Sequence, residues 1–238
     1  IAPNLSATNF SKSEAGGLYD GEGTAKFYPL RFSFCENWQS ALPLVALQYH
    51  DVEIRITWGG IAKNWGWNVY ANFAYLDTDE RAAFSSGSQN MLITQVQKSI
   101  ASKSLIQELN YNHPIKYLAA ASGSAMSILN KANKLKLQIN GTDIGDYKFA
   151  DPNFTSVPLY YHTSNSSVKG TNLFFVPFCL DAAKLQPTGS LNFSRLDSAR
   201  IQSTGHSTTA GKFDEDIYAV NYNVLRVENG MAGLLYSN

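Results

Sequence analysis

Apolar and polar positions alternate most regularly in two short segments. In His50–Thr57, Val52, Ile54 and Ile56 share one face while Glu53, Arg55 and Thr57 take the other. In Lys134–Ile139, Leu135, Leu137 and Ile139 oppose Lys134, Lys136 and Gln138. Period-two alternation sends successive side chains to opposite sides of a pleated strand, so each segment is predicted to be a strand with one wet and one dry face. The second runs into Asn140-Gly141, a pair that tolerates the two positive φ angles of a tight hairpin, and Thr142–Ile144 begins the predicted return strand. Helical periodicity is scarce. Asp79–Phe84 and Ser124–Lys131 are expected to be short helical connectors, since neither has the length or apolar stripe of a packed helix. Ser85-Ser86-Gly87-Ser88 is small and polar, and reads as a linker ahead of the apolar run Met91–Val96.

Elsewhere, short β-branched or aromatic runs recur between clusters of Gly, Asn, Ser and Pro, which is the pattern of an all-β chain. Some of these runs repeat. Lys26–Cys35 (KFYPLRFSFC) and Thr171–Cys179 (TNLFFVPFC) are both aromatic-rich, contain a proline and end in cysteine. Leu47–Ile56 and Phe193–Gln202 both set an aspartate ahead of an alternating stretch, and Val69–Leu76 (VYANFAYL) resembles Ile217–Leu225 (IYAVNYNVL) with one insertion. The pairs Cys35/Cys179, Asp51/Asp197 and Tyr70/Tyr218 lie 144, 146 and 148 residues apart. A nearly constant offset implies two homologous β-domains in tandem. The expected division is residues 1–84 for the last strands of a first domain, 85–90 for a linker and 91–238 for a complete second domain. By the same offset the first domain would start roughly 55 residues before residue 1.

Composition narrows the function classes. Of 238 residues 44% are hydrophobic and 16% charged, enough apolar material for a core and too much for a disordered tail. Lysine plus arginine and aspartate plus glutamate each total 19, giving a net charge of +0, whereas a protein that grips nucleic acid phosphates carries a basic excess. No apolar run approaches the ~18 residues of a membrane-spanning helix. The first residue is Ile1 and no signal-peptide pattern follows it, so a processed product or part of a longer chain is expected. Cys35 and Cys179 are the only cysteines, too few for a disulfide framework and suited to a reducing compartment. They occupy equivalent places in the two repeats and are therefore expected to be distant, unpaired and buried.

Longer motifs carry a family resemblance. Ala41–Asp51 (ALPLVALQYHD), Asn112–Leu118 (NHPIKYL), Gln186–Leu196 (QPTGSLNFSRL) and Tyr218–Tyr236 (YAVNYNVLRVENGMAGLLY) resemble the major capsid proteins of nucleocytoplasmic large DNA viruses, of the chlorovirus and iridovirus type. The similarity covers most of Phe27–Asn238, while Ile1–Thr24 matches nothing in the family pattern. The resemblance implies two eight-stranded jelly rolls in one chain, the first lacking its N-terminal strands here, and an ending at Gly230–Asn238 like the family's own C-terminus. It also implies a structural, non-enzymatic subunit without cofactors. Three copies would form a homotrimeric capsomer of pseudo-hexagonal outline in the virion shell, assembled in the host cytoplasm. The expected partners are neighbouring capsomers and minor capsid proteins, with no direct nucleic acid contact and only an indirect relation to an inner membrane.

Jelly rolls also serve as lectins and carbohydrate-active enzymes, so a carbohydrate-binding or carbohydrate-cleaving protein is the alternative reading. The residues give it little support. His50, His113, His162 and His206 are isolated from one another, whereas a cupin-like metal site needs two histidines two apart plus a carboxylate. The acidic clusters Asp77/Asp79/Glu80 and Asp214/Glu215/Asp216 lack the cleft-spanning separation of glycosidase carboxylates, and the first reads as the acidic opening turn of a helix. No G-x-S-x-G nucleophile elbow is present, and Gly59-Gly60 lacks the P-loop lysine. Trp58, Trp65 and Trp67 flank a glycine-rich stretch; packing in a core or against another subunit is expected rather than sugar stacking. Sequons occur at Asn4, Asn9, Asn140, Asn153, Asn165 and Asn192. Asn192 is expected inside a strand; Asn140, Asn153 and Asn165 lie in turn-rich segments and are the candidate glycan acceptors.

Overall fold

The computed structural model describes residues 18–19, 26–27, 29–58, 66–122, 125–163, 173–205 and 211–237. Its strands are β1 (Leu18–Tyr19), β2 (Lys26–Phe27), β3 (Gln89–Ser99), β4 (Ile106–Glu108), β5 (Pro114–Ala121), β6 (Lys134–Ile139), β7 (Thr142–Asp143), β8 (Lys148–Phe149), β9 (Leu173–Pro177), β10 (Leu191–Asn192), β11 (Ala199–Ser203), β12 (Ile217–Glu228) and β13 (Met231–Leu234). Three short α-helices accompany them: α1 (Thr78–Ser86), α2 (Ala150–Asn153) and α3 (Ser156–His162). Residues 94–223 form the body of one compact unit, and residues 33–93 with 224–237 form another.

The 94–223 unit is a sandwich of two antiparallel sheets, the jelly-roll layering expected from the sequence. In the first sheet β5 is central: Ala119 pairs with Tyr218 of β12 on one edge and with Phe175 of β9 on the other. β10 continues the β9 edge and β3 lies against β12. In the second sheet Arg200 of β11 pairs with Glu108 of β4 and with Gln138 of β6, and β7 and β8 occupy the far edge of β6. Alternation explains which residues meet between the layers. Ile115, Leu118, Phe174, Ile217 and Ala219 from the first sheet and Leu135, Ala199 and Ile201 from the second share one core with Ile128, Leu129 and Phe213. Burial of such side chains is the main stabilising term, about 1.5–3 kcal/mol for each large one.

Local chemistry shapes the elements much as their residue types predict. The 134–139 strand ends at Asn140 and Gly141 with φ of 49° and 78°, the paired left-handed geometry of a tight hairpin. The return strand puts Thr142 opposite Ile139, and the Ile144 amide donates to the Leu137 carbonyl at 2.9 Å. Asp77 caps α1: its carboxylate accepts from the Thr78 amide at 2.7 Å and from the Glu80 amide, while Glu80 Oε2 accepts from the Asp77 amide at 3.1 Å, a reciprocal capping box.

Five expectations need correction. The 50–57 segment is not a strand; it carries no regular structure, and Val52, Ile54 and Ile56 are exposed together with their polar neighbours. Residues 69–76 behave likewise although their near-copy 217–225 lies in β12. Alternation marks the face a strand would bury, but a ladder forms only where another strand supplies its backbone groups. β12 has β5 and β3 beside it, whereas no strand among the described residues pairs with 50–57 or 69–76. The segment read as a linker at 85–90 is mostly ordered element: α1 runs through Ser86, Gly87 caps it and β3 starts at Gln89. Of the predicted 124–131 helix, only Ser127–Leu129 forms a helical turn among the described residues 125–131, of 3-10 type, and it buries Ile128 and Leu129 in the core. Cys35 is exposed; only Cys179 is buried, and both thiols are free.

Candidate functional site

Several of the titratable residues that a catalytic or metal site would need are engaged in structural bonds. His50 Nδ1 accepts from the Ala232 amide at 3.1 Å. His162 Nδ1 lies 2.8 Å from the Cys179 carbonyl, an acceptor only, so that nitrogen carries the proton. His113 contributes backbone: its amide donates to Ser194 Oγ at 2.8 Å and its carbonyl accepts from Phe193 at 3.0 Å. His206 lies outside the described residues. Among the described residues no three His, Cys, Asp or Glu side chains gather as a metal site would require.

Three carboxylates of the acidic clusters, those of Asp77, Glu80 and Asp216, are likewise committed. Asp77 and Glu80 cap α1. Asp216 Oδ1 accepts from the Ala101 amide at 2.9 Å and Oδ2 meets Lys98 Nζ at 3.0 Å. That amide first, and then Lys98, hold the Asp216 carboxyl below the usual carboxylate range. The Asp214 carbonyl accepts from Lys103 Nζ at 2.9 Å. These bonds pin the loop after β3 to the segment entering β12; they do not set two carboxylates across a cleft. Burial pushes the Cys179 thiol up, away from the thiolate that nucleophilic chemistry needs.

The predicted surface residues divide as follows. Trp58 and Trp67 stack at 4.3 Å between ring centroids with 17° between planes, each ring covering a face of the other, while Trp65 lies outside the described residues. Asn140 is exposed at its turn, and its Oδ1 accepts from the Asp197 and Ser198 amides at 2.8 and 3.1 Å; those bonds use the oxygen and not the nitrogen a glycan would join. Asn153 is half-buried with Nδ2 donating to the Phe149 carbonyl at 2.9 Å, and Thr155 of its sequon is buried with Oγ1 on Asp151 at 2.6 Å. Of these two described acceptors, Asn140 alone presents its sequon to solvent. Asn192 ends β10, and its Oδ1 accepts from the Ser194 amide at 3.1 Å. Asn4, Asn9 and Asn165 lie outside the described residues.

The sequence reading missed a partly buried amide network between β3 and β12. Gln97 Nε2 donates to the Asn112 carbonyl at 2.7 Å and to Asn221 Oδ1 at 3.0 Å, while its Oε1 accepts from the Asn112 amide at 3.0 Å. Asn223 Nδ2 donates to Gln95 Oε1 at 3.0 Å. Amides two apart on one strand thus face amides two apart on its neighbour, and a slip by one residue would bury each against nothing. The signal was present as the spaced pairs Gln95/Gln97 and Asn221/Asn223, but polar residues at inward positions read as surface. Asn133 plays a comparable part beside β6: Nδ2 donates to the Ile128 carbonyl at 2.9 Å, and Oδ1 accepts from Ser203 Oγ at 3.0 Å and the Gly205 amide at 3.0 Å.

The two-sheet fold has clear counterparts among known proteins. Residues 80–233 match the family described as large eukaryotic DNA virus major capsid protein, and residues 19–66 match the major capsid protein N-terminus. The chain belongs to this capsid protein family. It is 35% identical over 273 residues to the major capsid protein of Pyramimonas orientalis virus, covering 98% of this chain and 66% of that protein. To the major capsid protein of Paramecium bursaria Chlorella virus 1 it is 29% identical over 301 residues, covering 90% of this chain and 67% of the relative. The chain therefore spans about two thirds of the length of these relatives. Among solved structures it superposes on the quasi-atomic PBCV-1 virus capsid with a TM-score of 0.64 at 26% identity, covering 90% of this chain and 71% of the other. The crystal structure of PBCV-1 VP54, fitted into a reconstruction of the virophage Sputnik, gives a TM-score of 0.66 at 26% identity, with the same 90% and 71% coverage. The all-β jelly-roll expectation agrees with these structures, and the family is one of structural virion components rather than enzymes.

Proposed function

We propose that the chain is a structural subunit of the icosahedral shell of a large DNA virus, acting as a homotrimer whose capsomer has a pseudo-hexagonal outline. The observation that carries this reading is the capsid-family match over residues 80–233, which falls on the jelly-roll strands. Two similar domains per chain, taken three times, offer six near-equivalent corners, and closed cyclic symmetry is the ordinary way to build such a ring. The internal repeat supports two jelly rolls, with the second beginning near Met91 and the first incomplete within these 238 residues. The exposed aromatic and β-branched side chains in 52–58 and 69–75 are what an unfinished sandwich would leave uncovered.

On this reading the partners are two further copies, neighbouring capsomers and minor capsid proteins, with the inner membrane and the genome beyond direct reach. Asn140, on an exposed turn, is the favoured glycan acceptor, with Asn165 second and Asn153 disfavoured by its geometry. The test is light scattering on the full-length protein together with electrophoresis of purified particles. A trimer mass and a dominant particle band are expected. A stable monomer at high concentration, or saccharide turnover abolished by removing a carboxylate pair, overturns the reading.

A further inference from the structure

The two sheets of the 94–223 unit turn outer faces of opposite character to their surroundings. On the second sheet, β6 and β11 send Lys134, Lys136, Gln138, Arg200 and Gln202 outward. There Lys136 Nζ meets Asp143 Oδ2 at 2.6 Å and Arg200 donates to Gln138. That face is built for water. The first sheet's outer face is mainly apolar, with Lys116 lying over the ring of Tyr222. Its apolar part on β5 and β9 consists of Tyr117, Ala119 and Phe175, and it is covered by Leu159 of α3 together with Cys179 and Ala182.

Strand pairing carries the same face onward. Residues directly opposite in an antiparallel pair share a side of the sheet, so Tyr218 opposite Ala119 and Val220 opposite Tyr117 extend it across β12. On β3 the inward positions are taken by Gln95 and Gln97, which bond to Asn223 and Asn221. Val96 and Lys98 therefore point outward, with Ile100 next in the series. Here the helix cover has ended: Tyr218 is 42% exposed, Val96 66% and Ile100 74%. Over Gln95–Ile100 the usual polarity of an outer strand is inverted, with two amides inside and Val96 and Ile100 outside on either side of Lys98, and an apolar patch on such a strand is a docking surface or an aggregation hazard.

We infer that a second copy of this chain covers the Val96, Ile100 and Tyr218 face, as one of the contacts between subunits. This rests on the trimer reading above. Charge selects the occupant. Lys98 and Asp216 neutralise each other within the face at 3.0 Å, and the chain as a whole carries 19 basic and 19 acidic residues. A strongly charged partner would find no counter-charge there, while a neutral copy meets no repulsion.

The experiment compares full-length protein with the double variant Val96→Glu, Ile100→Glu by sedimentation velocity, beside Gln202→Glu on the polar sheet as a control. Unchanged and control proteins should sediment as trimers, and the double variant at about a third of that mass with its circular dichroism retained. A second measurement does not depend on that variant folding. In Ile100→Cys, maleimide labelling mapped to position 100 should be at least about tenfold slower in the trimer than in dilute monomer. A trimeric double variant, or fast labelling at position 100 within the trimer, overturns this face while leaving the trimer standing. An unchanged protein that is monomeric overturns the trimer reading and this inference with it.

Discussion

Two buried tyrosines separate what a hydroxyl does from what a ring does. Tyr111 Oη donates to the Ile217 carbonyl at 2.8 Å, and burial raises its pKa far above the ordinary phenol value. Tyr222 is also buried, but its Oη has no hydrogen-bond partner among the described residues. Replacing Tyr111 with Phe strands a buried carbonyl and should lower the unfolding free energy by about 1–2 kcal/mol. Tyr222→Phe removes an unsatisfied group and should be neutral or raise stability by up to ~1 kcal/mol. Urea unfolding of both variants checks the contrast, and equal losses would contradict it. Asp216 gives a pH signature. Its folded-state carboxyl is held below the ordinary value by the Ala101 amide and Lys98, so its contribution is present above the unfolded pKa of ~4 and lost as pH falls through the folded value. Asp216→Asn should therefore melt below the unchanged protein at neutral pH and converge with it in strong acid. Neither role was legible in the sequence, because a hydrogen bond between positions 111 and 217 or 101 and 216 depends on pairings that local pattern does not encode.

At the scale of elements, legibility followed locality. The β6 hairpin could be read directly, since its alternating strand, Asn140-Gly141 turn and return strand are all set within residues 134–144. Gly141 sits at φ 78°, where a β-branched side chain collides with its own backbone, so Gly141→Val should cost about 1–2 kcal/mol, measured by thermal or urea unfolding. The acidic opening turn of α1 was legible for the same reason. The segments 50–57 and 69–76 were misread because alternation describes one strand and a sheet needs two. The repeat sharpens the point: 69–76 and 217–225 have almost the same pattern, yet only the second lies between neighbours. β3 was half legible. Its apolar run was plain, but the apolar side chains at Val96 and Ile100 face outward and the glutamines inward, opposite to what hydropathy alone suggests.

At the scale of the whole molecule, the two compact units differ in how completely they bury their apolar residues. The 94–223 unit closes its core around Ile115, Leu118, Phe174 and Ile201, all with no exposed surface. The other unit has a small cluster of Ala46, Leu47 and Val227, and leaves Tyr70 81% and Tyr75 87% exposed. These 238 residues expressed alone should consequently aggregate or exchange strands, and bind a hydrophobic dye in the native state. A fragment beginning at Gln89, so that β3 is whole, contains about 150 residues and one closed sandwich, and should be better behaved. It loses the Ala46–Leu47 cover on Val227, which should lower its melting temperature without removing cooperativity. Size-exclusion chromatography and thermal melting of the two chains decide the matter. Should the longer chain be a cooperative monomer and the shorter one insoluble, the proposed domain division near Met91 is wrong. Residues 33–93 would then be part of the same folding unit as the strands that follow, because only shared burial could make the shorter chain fail where the longer one folds.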